Sequence, residues 1–185
     1  ENLRRICEYL FDEEEFLSPH GIRSLSKYYE KNPYSFCEGE ASATLAYSPA
    51  DSPVAMFGGN SNWRGPVWMP FNYLLIEALQ KFGHYYGDSL KVEFPTRSGN
   101  WITLWDASLE LEKRLVGLFR RNEAGQRPFN GAVELFQSDP HWKDLLLFNE
   151  YFHGDNGSGV GASHQTGWTA MVLKLLTQLQ RYSTP

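Results

Sequence analysis

Cysteine and long apolar runs are both scarce in this sequence. The 185 residues include only 2 cysteines, Cys7 and Cys37, which are too few for a disulfide framework and are not spaced for a metal site. No apolar run approaches the ~18 residues that a membrane-crossing helix needs. The first residues also have neither the basic nor the apolar stretch of a secretory signal. We therefore expect a reducing compartment, and no membrane span in this segment.

An excess of positive charge is also missing. Lys and Arg number 17 against 22 Asp and Glu, which gives a formal net charge of -5. A protein that binds phosphate backbones or anionic lipids needs the opposite balance. The composition thus argues against nucleic acid as a partner. At 42% hydrophobic residues, the chain does have enough apolar mass for the core of one domain.

Aromatic residues are abundant. They make up 15% of the chain, with 6 Trp, 10 Tyr and 12 Phe. The faces of Trp and Tyr fit the apolar C–H faces of sugars, although core packing explains any single aromatic equally well. This composition is compatible with a carbohydrate-binding protein without requiring one.

Helical periodicity occurs in four segments. The first ends near Asp12, and the others cover about residues 66–82, 103–121 and 167–181. The first and third have apolar residues on one side, the second is apolar almost all round, and the fourth is strongly apolar, so we expect the second to be buried on every side. The third begins with Thr103 and Asp106 at the spacing of a capping box, which favours a capping role for Asp106.

The connections between these helices are long, at about 50, 20 and 45 residues, whereas a few residues are usual. Long loops are often functional. Outer and inner helices in alternation, with elaborate loops at one end, are typical of a double-layered helical barrel. We therefore predict an all-α fold of about two helix hairpins, part of a barrel that four helices cannot close. Short strands are expected at residues 43–47 and 54–57.

Two loops, at residues 58–68 and 148–168, contain the residues best suited to chemistry. Glu150 lies among Leu, Phe and Tyr residues, and a carboxylate there is costly unless it is used or paired. Its structural alternatives are a pair with Arg64 or a side chain reaching from a helix end into water. Trp63 and Arg64 suit stacking on and hydrogen bonding to a sugar, or equally a wedge and an ion pair that close the loop.

The second loop carries further candidates and several weaker motifs. His164, Gln165 and Trp168 precede the last helix, whose N-terminus favours a polar ligand, although Thr166 there could simply be its N-cap. The glycines at 154–161 do not have the spacing of a phosphate loop. Asp155 lies in a segment that lacks the closing Glu of a calcium loop, and nothing in the spacing of His153, Asp155 and His164 defines a metal site.

Three segments resemble the C-terminal part of glycoside hydrolase family 63, which includes processing α-glucosidase I, also called mannosyl-oligosaccharide glucosidase. They are FGGNSNWRGPVWMPFNYLLIEALQKFGHYYGD, VEFPTRSG and LLLFNEYFHGDNGSGVGASHQTGWT. The likeness runs from about residue 16 to 176 and is closest to the microbial branch. It implies an (α/α)6 barrel that hydrolyses α-glucosides or related glycosides with inversion and without a cofactor.

The resemblance also implies roles for individual residues. Glu150 matches the general base that activates water, and Trp63, Arg64 and Trp168 match the substrate-binding wall. Their place before the last helix, and not the resemblance, makes His164 and Gln165 expected polar contacts to the sugar. The general acid of the family is an Asp on an earlier loop, and no position in this chain matches its motif.

The resemblance therefore implies that residues 1–185 are the C-terminal segment of a catalytic domain. Its partners would be an oligosaccharide or glycoside substrate and the remainder of its own barrel, and the segment alone would be inactive. The main alternative is a non-catalytic carbohydrate-binding module, and a phosphate-binding protein ranks last because no basic cradle is present. The microbial likeness and the few cysteines favour the cytoplasm.

Overall fold

The structure is a computed structural model that describes residues 1–39, 41–53 and 62–182. Within these ranges the chain forms five α-helices and four two-stranded antiparallel hairpins. The helices are α1 (Asn2–Leu10), α2 (Met69–Tyr86), α3 (Leu104–Gly117), α4 (Glu134–Ser138) and α5 (Val172–Tyr182). The hairpins pair β1 (Leu17–Ser18) with β2 (Gly21–Ile22), β3 (Tyr34–Glu38) with β4 (Ala41–Leu45), β5 (Lys91–Glu93) with β6 (Trp101–Thr103), and β7 (Tyr151–Phe152) with β8 (Gly159–Val160).

The prediction of an all-α fold is therefore only partly right. All four predicted helices are present as α1, α2, α3 and α5, but the loops between them contain β-hairpins. These hairpins are mostly two or three residues per strand, too short for a recognisable alternation of apolar and polar residues. The strand expected at 43–47 overlaps β4, and the one expected at 54–57 lies outside the described residues.

The helix ends differ from the predicted ones by a few residues. Helix α2 begins at Met69, places Pro70 in its first turn, where a missing N–H costs little, and extends to Tyr86. Helix α3 begins with the predicted capping box, in which Thr103 Oγ1 accepts from Asp106 N–H (3.1 Å) and Asp106 Oδ2 accepts from Thr103 N–H (3.4 Å). The predicted capping role of Asp106 is therefore confirmed.

The core is centred on α3. Its residues Leu104, Ala107, Leu111 and Leu115 are fully buried, and the helix packs against both α2 and α5. Burial of four such side chains contributes several kcal/mol of stabilisation, since each is worth ~1.5–3 kcal/mol or, for Ala, less. Helix α3 is thus the most enclosed helix among the described residues.

The prediction that the second helix is buried on every side is wrong for this structure. Helix α2 buries Met69, Ile76 and Leu79, but Phe71 and Phe82 are exposed. The physical reason is that an apolar face is buried only where a neighbour covers it, and within the described residues α3 and the turn at Thr169–Met171 cover α2 on one side. The predicted alternation of outer and inner helices is consequently not observed, and the barrel stays a prediction.

A buried polar group lies between the three long helices. Glu112 of α3 is 0% exposed, and its Oε1 accepts a hydrogen bond of 2.7 Å from Gln80 Nε2 of α2. Gln178 of α5 donates in turn to Gln80 Oε1 (3.3 Å), while Glu112 Oε2 and Gln178 Oε1 are both buried acceptors without a partner. Burial raises the pKa of Glu112 from 4.5 to about 7, against the lowering effect of the Gln80 bond.

The raised pKa makes the stability of the fold depend on pH. The folded state binds a proton more tightly than the unfolded chain, so this contribution is complete below pH 4.5 and is lost as pH rises through about 7. We expect Glu112→Gln to remove this loss, making the variant more stable than the parent at pH 8 by on the order of 2 to 3 kcal/mol. Urea unfolding at pH 5 and pH 8 measures the difference.

The matched control for this experiment is Glu110→Gln, which lies on the same helix and pairs at the surface with Lys113. It should change the free energy of unfolding by at most ~1 kcal/mol at either pH. Equal pH dependence in Glu112→Gln and the parent would contradict the assignment.

Candidate active site

The two loops singled out in the sequence meet through their main chains. Val67 and Phe152 exchange two hydrogen bonds, N–H to C=O, each of 2.9 Å. Gly154 N–H also donates to Pro49 C=O (2.9 Å), and a Cβ on Gly154 would lie only 2.4 Å from Gly65 O. The approach is so close that it requires glycine at position 154, and it joins the segment before α2 to the hairpin β7–β8.

An aromatic cluster fills this junction. Trp68 is fully buried at its centre and stacks on Trp63 on one side (centroids 3.9 Å apart, planes at 4°) and on Tyr151 on the other (4.6 Å, 25°). Trp168 meets Trp68 edge-on at 5.7 Å. Trp63 is 45% exposed, so the cluster presents an indole at the surface on a rigid aromatic support. A sugar ring can stack on such a surface.

Glu150 lies at the edge of the same cluster. It precedes Tyr151, the first residue of β7, and does not belong to a helix. Glu150 N–H donates to Ala162 C=O (2.8 Å), while Ala162 N–H donates to Glu150 Oε2 (3.0 Å). A Cβ on Gly161 would lie within 3 Å of both Glu150 Oε2 and the Tyr151 ring. The carboxylate is therefore partly buried beside the aromatic residues, held by a backbone donor, and does not extend from a helix end.

Arg64 is buried, whereas a side chain that binds a sugar directly would be expected to be exposed. Its side chain is buried, at 4% exposed, and its guanidinium donates to Ser52 Oγ. Its main chain is also held, because Arg64 N–H donates to Asn62 Oδ1 (3.0 Å) and Arg64 C=O accepts from Ser48 N–H (2.6 Å). These contacts hold the loop to itself, as the loop-closing alternative requires, but within the described residues they do so through hydrogen bonds to neutral groups and not through the expected ion pair. A direct role of Arg64 in sugar binding stays a prediction.

His164 and Gln165 attach their loop to Phe148. The His164 ring stacks on the Phe148 ring at 5.4 Å, its Nδ1 accepts from Phe148 N–H at 3.5 Å, and Gln165 N–H donates to Phe148 C=O at 2.6 Å. The structure therefore brings both residues to the segment that leads into Glu150. Thr166 is not the N-cap of the last helix, since α5 begins six residues later at Val172.

The Gly-rich stretch holds a charge network in place of a phosphate or calcium site. Asp155 Oδ1 accepts hydrogen bonds from Arg23 Nη2 (3.1 Å), Lys27 Nζ (2.9 Å) and Tyr47 Oη (3.1 Å). Burial raises the pKa of Asp155, but the hydrogen bonds from Lys27 and Arg23 outweigh it and hold that pKa below its usual value. Asp155 therefore stabilises the loop as an anion that accepts hydrogen bonds from three side chains.

Sequence reasoning missed several residues of the site. Trp68 and Tyr151 carry the stacking, but nothing in the sequence pattern distinguishes them from aromatic residues of the core. Tyr151 Oη donates to Asp51 Oδ1 (2.9 Å), and burial together with Asp51 raises the pKa of Tyr151. The partners of Asp155 lie more than 100 residues away in the chain, so no local pattern points to them.

Two other kinds of feature are absent from the part of the chain that the structure describes. No group of three or more His, Cys, Asp or Glu side chains there is arranged to hold a metal ion. Among the same residues, no helix combines the length and the apolar character that crossing a bilayer requires.

Comparison with known proteins defines the class. Residues 1–169 match the model of the mannosylglycerate hydrolase MGH1-like glycoside hydrolase domain. The match covers most of the chain, so the chain belongs to this family of glycoside hydrolase domains.

Individual relatives agree with this assignment. The chain is 47% identical over 97% of its length to a Saccharomyces cerevisiae protein described as uncharacterized, YMR196W. It is 24% identical over 95% to a probable mannosyl-oligosaccharide glucosidase of Schizosaccharomyces pombe, and 25% identical over 94% to the mannosyl-oligosaccharide glucosidase of S. cerevisiae. The resemblance to family 63 is thus confirmed. The chain spans only 15 to 17% of the length of these relatives.

The charge network makes the loop sensitive to loss of Asp155. We expect Asp155→Asn to lower the free energy of unfolding by ~3 kcal/mol, because it leaves the buried Arg23 guanidinium without its counter-charge. Chemical unfolding near pH 7 measures the loss. The control Asp144→Asn breaks an exposed pair with Arg121 and should cost less than ~1 kcal/mol; similar losses in both variants would contradict this account.

Proposed function

We propose that this chain is the C-terminal part of the catalytic domain of an inverting glycoside hydrolase, with Glu150 as the general base. The observation that carries the proposal is the position of the Glu150 carboxylate, which accepts from Ala162 N–H (3.0 Å) at the edge of the aromatic cluster. Membership of a glycoside hydrolase family supports the reaction class.

Inversion assigns one step to this carboxylate. A water molecule attacks the anomeric carbon from the face opposite the leaving group, and Glu150 takes a proton from that water as the new C–O bond forms. The backbone N–H of Ala162 orients one carboxylate oxygen before the reaction begins, so that less reorganisation is needed in the transition state. The glycosidic C–O bond breaks as a carboxylic acid on the other side protonates the leaving oxygen.

The second carboxyl comes from outside residues 1–185 in this proposal. In an inverting enzyme the two carboxyls are ~6.5–9.5 Å apart, which leaves room for the attacking water. An Asp on an earlier loop of the barrel would supply the acid. Covering the exposed face of α2, with Phe71 and Phe82, would be the structural role of the remainder of the barrel.

The sugar bound at this site is proposed to be an α-linked glucose. The exposed face of Trp63 would stack on the ring, Arg64 and Trp168 would complete the wall, and His164 and Gln165 would make polar contacts to the sugar. Two relatives are named as mannosyl-oligosaccharide glucosidases, which favours an α-glucoside. The family description names a mannosylglycerate hydrolase, so α-mannosides are the second class of substrate to assay.

The cytoplasmic location stays a prediction.

The role of Glu150 is tested by Glu150→Gln in the full-length protein. We expect kcat to fall by on the order of 10² to 10⁴, because a positioned base is lost, while the affinity for substrate changes little. Steady-state hydrolysis of an α-glucoside and calorimetric titration with a substrate analogue measure the two quantities. Glu134→Gln on α4, outside both loops, should leave kcat unchanged. Loss of binding with kcat intact would contradict the assignment.

The isolated 185-residue chain separates this proposal from its main alternative, a non-catalytic carbohydrate-binding module. Because it contains no match for the general acid, we expect no measurable turnover of α-glucosides or α-mannosides by the purified chain. Calorimetry with glucose, kojibiose and mannosides on the same sample tests the alternative. A stable monomer with saturable sugar binding would favour the module, and turnover would contradict the division of the carboxyls.

A further inference from the structure

A second concave site lies between α1 and the hairpin β5–β6, away from both loops of the candidate active site. It is a cavity of about 350 Å³ whose lining includes Tyr9 of α1 and Trp101 of β6. These two rings are 58% and 54% exposed. A smaller hollow of about 260 Å³ shares Tyr9 and Arg5 with it, so the two form one groove along α1.

The charges around this groove balance. Arg4, Arg5 and Arg97 line the cavity together with Glu8, Asp12 and Glu93, three cations against three anions. A site for a phosphate, a nucleic acid or an acidic polymer needs an excess of cations, which is absent here. Exposed aromatic faces beside balanced hydrogen-bonding groups fit a neutral ligand that is rich in hydroxyls and has apolar C–H faces.

Hydrogen bonds hold part of the groove's lining in place. The Arg97 guanidinium donates two hydrogen bonds to the Asp12 carboxylate (2.5 and 2.7 Å). Glu93 accepts from the backbone N–H groups of Arg97 (2.8 Å) and Gly99 (2.6 Å). Arg97 is thereby kept in a left-handed backbone conformation, with φ at 69°, which a residue with a side chain adopts only when its surroundings determine it. A preorganised lining reduces the entropy cost of binding.

We propose that this groove, walled by Tyr9 and Trp101, is a second carbohydrate-binding site that holds a neutral oligosaccharide or polysaccharide chain apart from the site of Glu150. Tyr9 and Trp101 stack on sugar rings, and Arg5 and Glu8 supply a donor and an acceptor for hydroxyls. The adjoining hollow gives the saccharide chain room to continue beyond the sugar held in the cavity. The proposal rests on the contacts of the groove and on the glycoside hydrolase family, not on the role of Glu150.

Affinity electrophoresis of the full-length protein tests the proposal, in native gels cast with glycogen, with yeast mannan, or with no polysaccharide. We expect one of the polysaccharides to retard the parent. Trp101→Ala and Tyr9→Ala should each raise the apparent Kd roughly fivefold or more, as expected for loss of one stacking contact. Arg5→Ala, an exposed change, provides a variant that leaves both rings in place and should weaken binding less.

The controls separate this site from the candidate active site. Tyr28→Ala removes an aromatic of similar exposure outside the groove and should be retarded like the parent. Hydrolysis of a small α-glucoside should be unchanged in Trp101→Ala, and Glu150→Gln should keep its retardation. If the full-length parent has no glycosidase activity but is still retarded, the result contradicts the proposed function and leaves the second site supported. Unchanged retardation of both ring variants, or no retardation in either gel, would overturn the second site.

Discussion

The stacking of Trp68 between Trp63 and Tyr151 is the contact on which the arrangement of the site depends. Trp68 is the residue immediately before α2, so its ring is positioned by the helix, and Trp63 and Tyr151 belong to the two loops that meet there. Its indole Nε1 donates to Asn62 C=O (2.9 Å), which satisfies the one polar atom of a fully buried ring. Helix α2, Trp63 and Tyr151, which adjoins Glu150 in the chain, are thus joined through a single side chain.

Ion pairs stabilise the glycine-rich loop that follows Glu150. Segments rich in glycine lose more conformational entropy on folding than others, and residues 154–161 contain four glycines. Asp155 offsets part of that cost, because Arg23 and Lys27 bind its carboxylate from the chain segment around β2. Asn72 of α2 holds the same segment, accepting from Ile22 N–H (2.7 Å) and donating to Ile22 C=O (3.0 Å). The loop beside Glu150 is therefore tied to the helical core.

Local patterns predicted the parts of this structure that local forces determine. The apolar spacing of α1, α2, α3 and α5 is visible within one or two turns, and Glu150 drew attention because its immediate neighbours are apolar. Contacts across the chain were not predictable in this way: Arg23 and Asp155 are 132 positions apart. The apolar circumference of α2 shows which surface needs cover but not which segment provides it. For that reason the prediction that α2 is buried on every side is wrong for this structure. The family resemblance indicated a glycoside hydrolase, which periodicity alone could not do.

The joint between the two loops has a mechanical consequence. Gly154 meets Gly65 main chain to main chain, and Val67 and Phe152 bond to each other in both directions, so no compressible side chain separates the two backbones at this point. The two backbones are therefore expected to move together. In the proposed site this would keep the spacing between the exposed Trp63 ring and the Glu150 carboxylate when a hexose stacks on the ring.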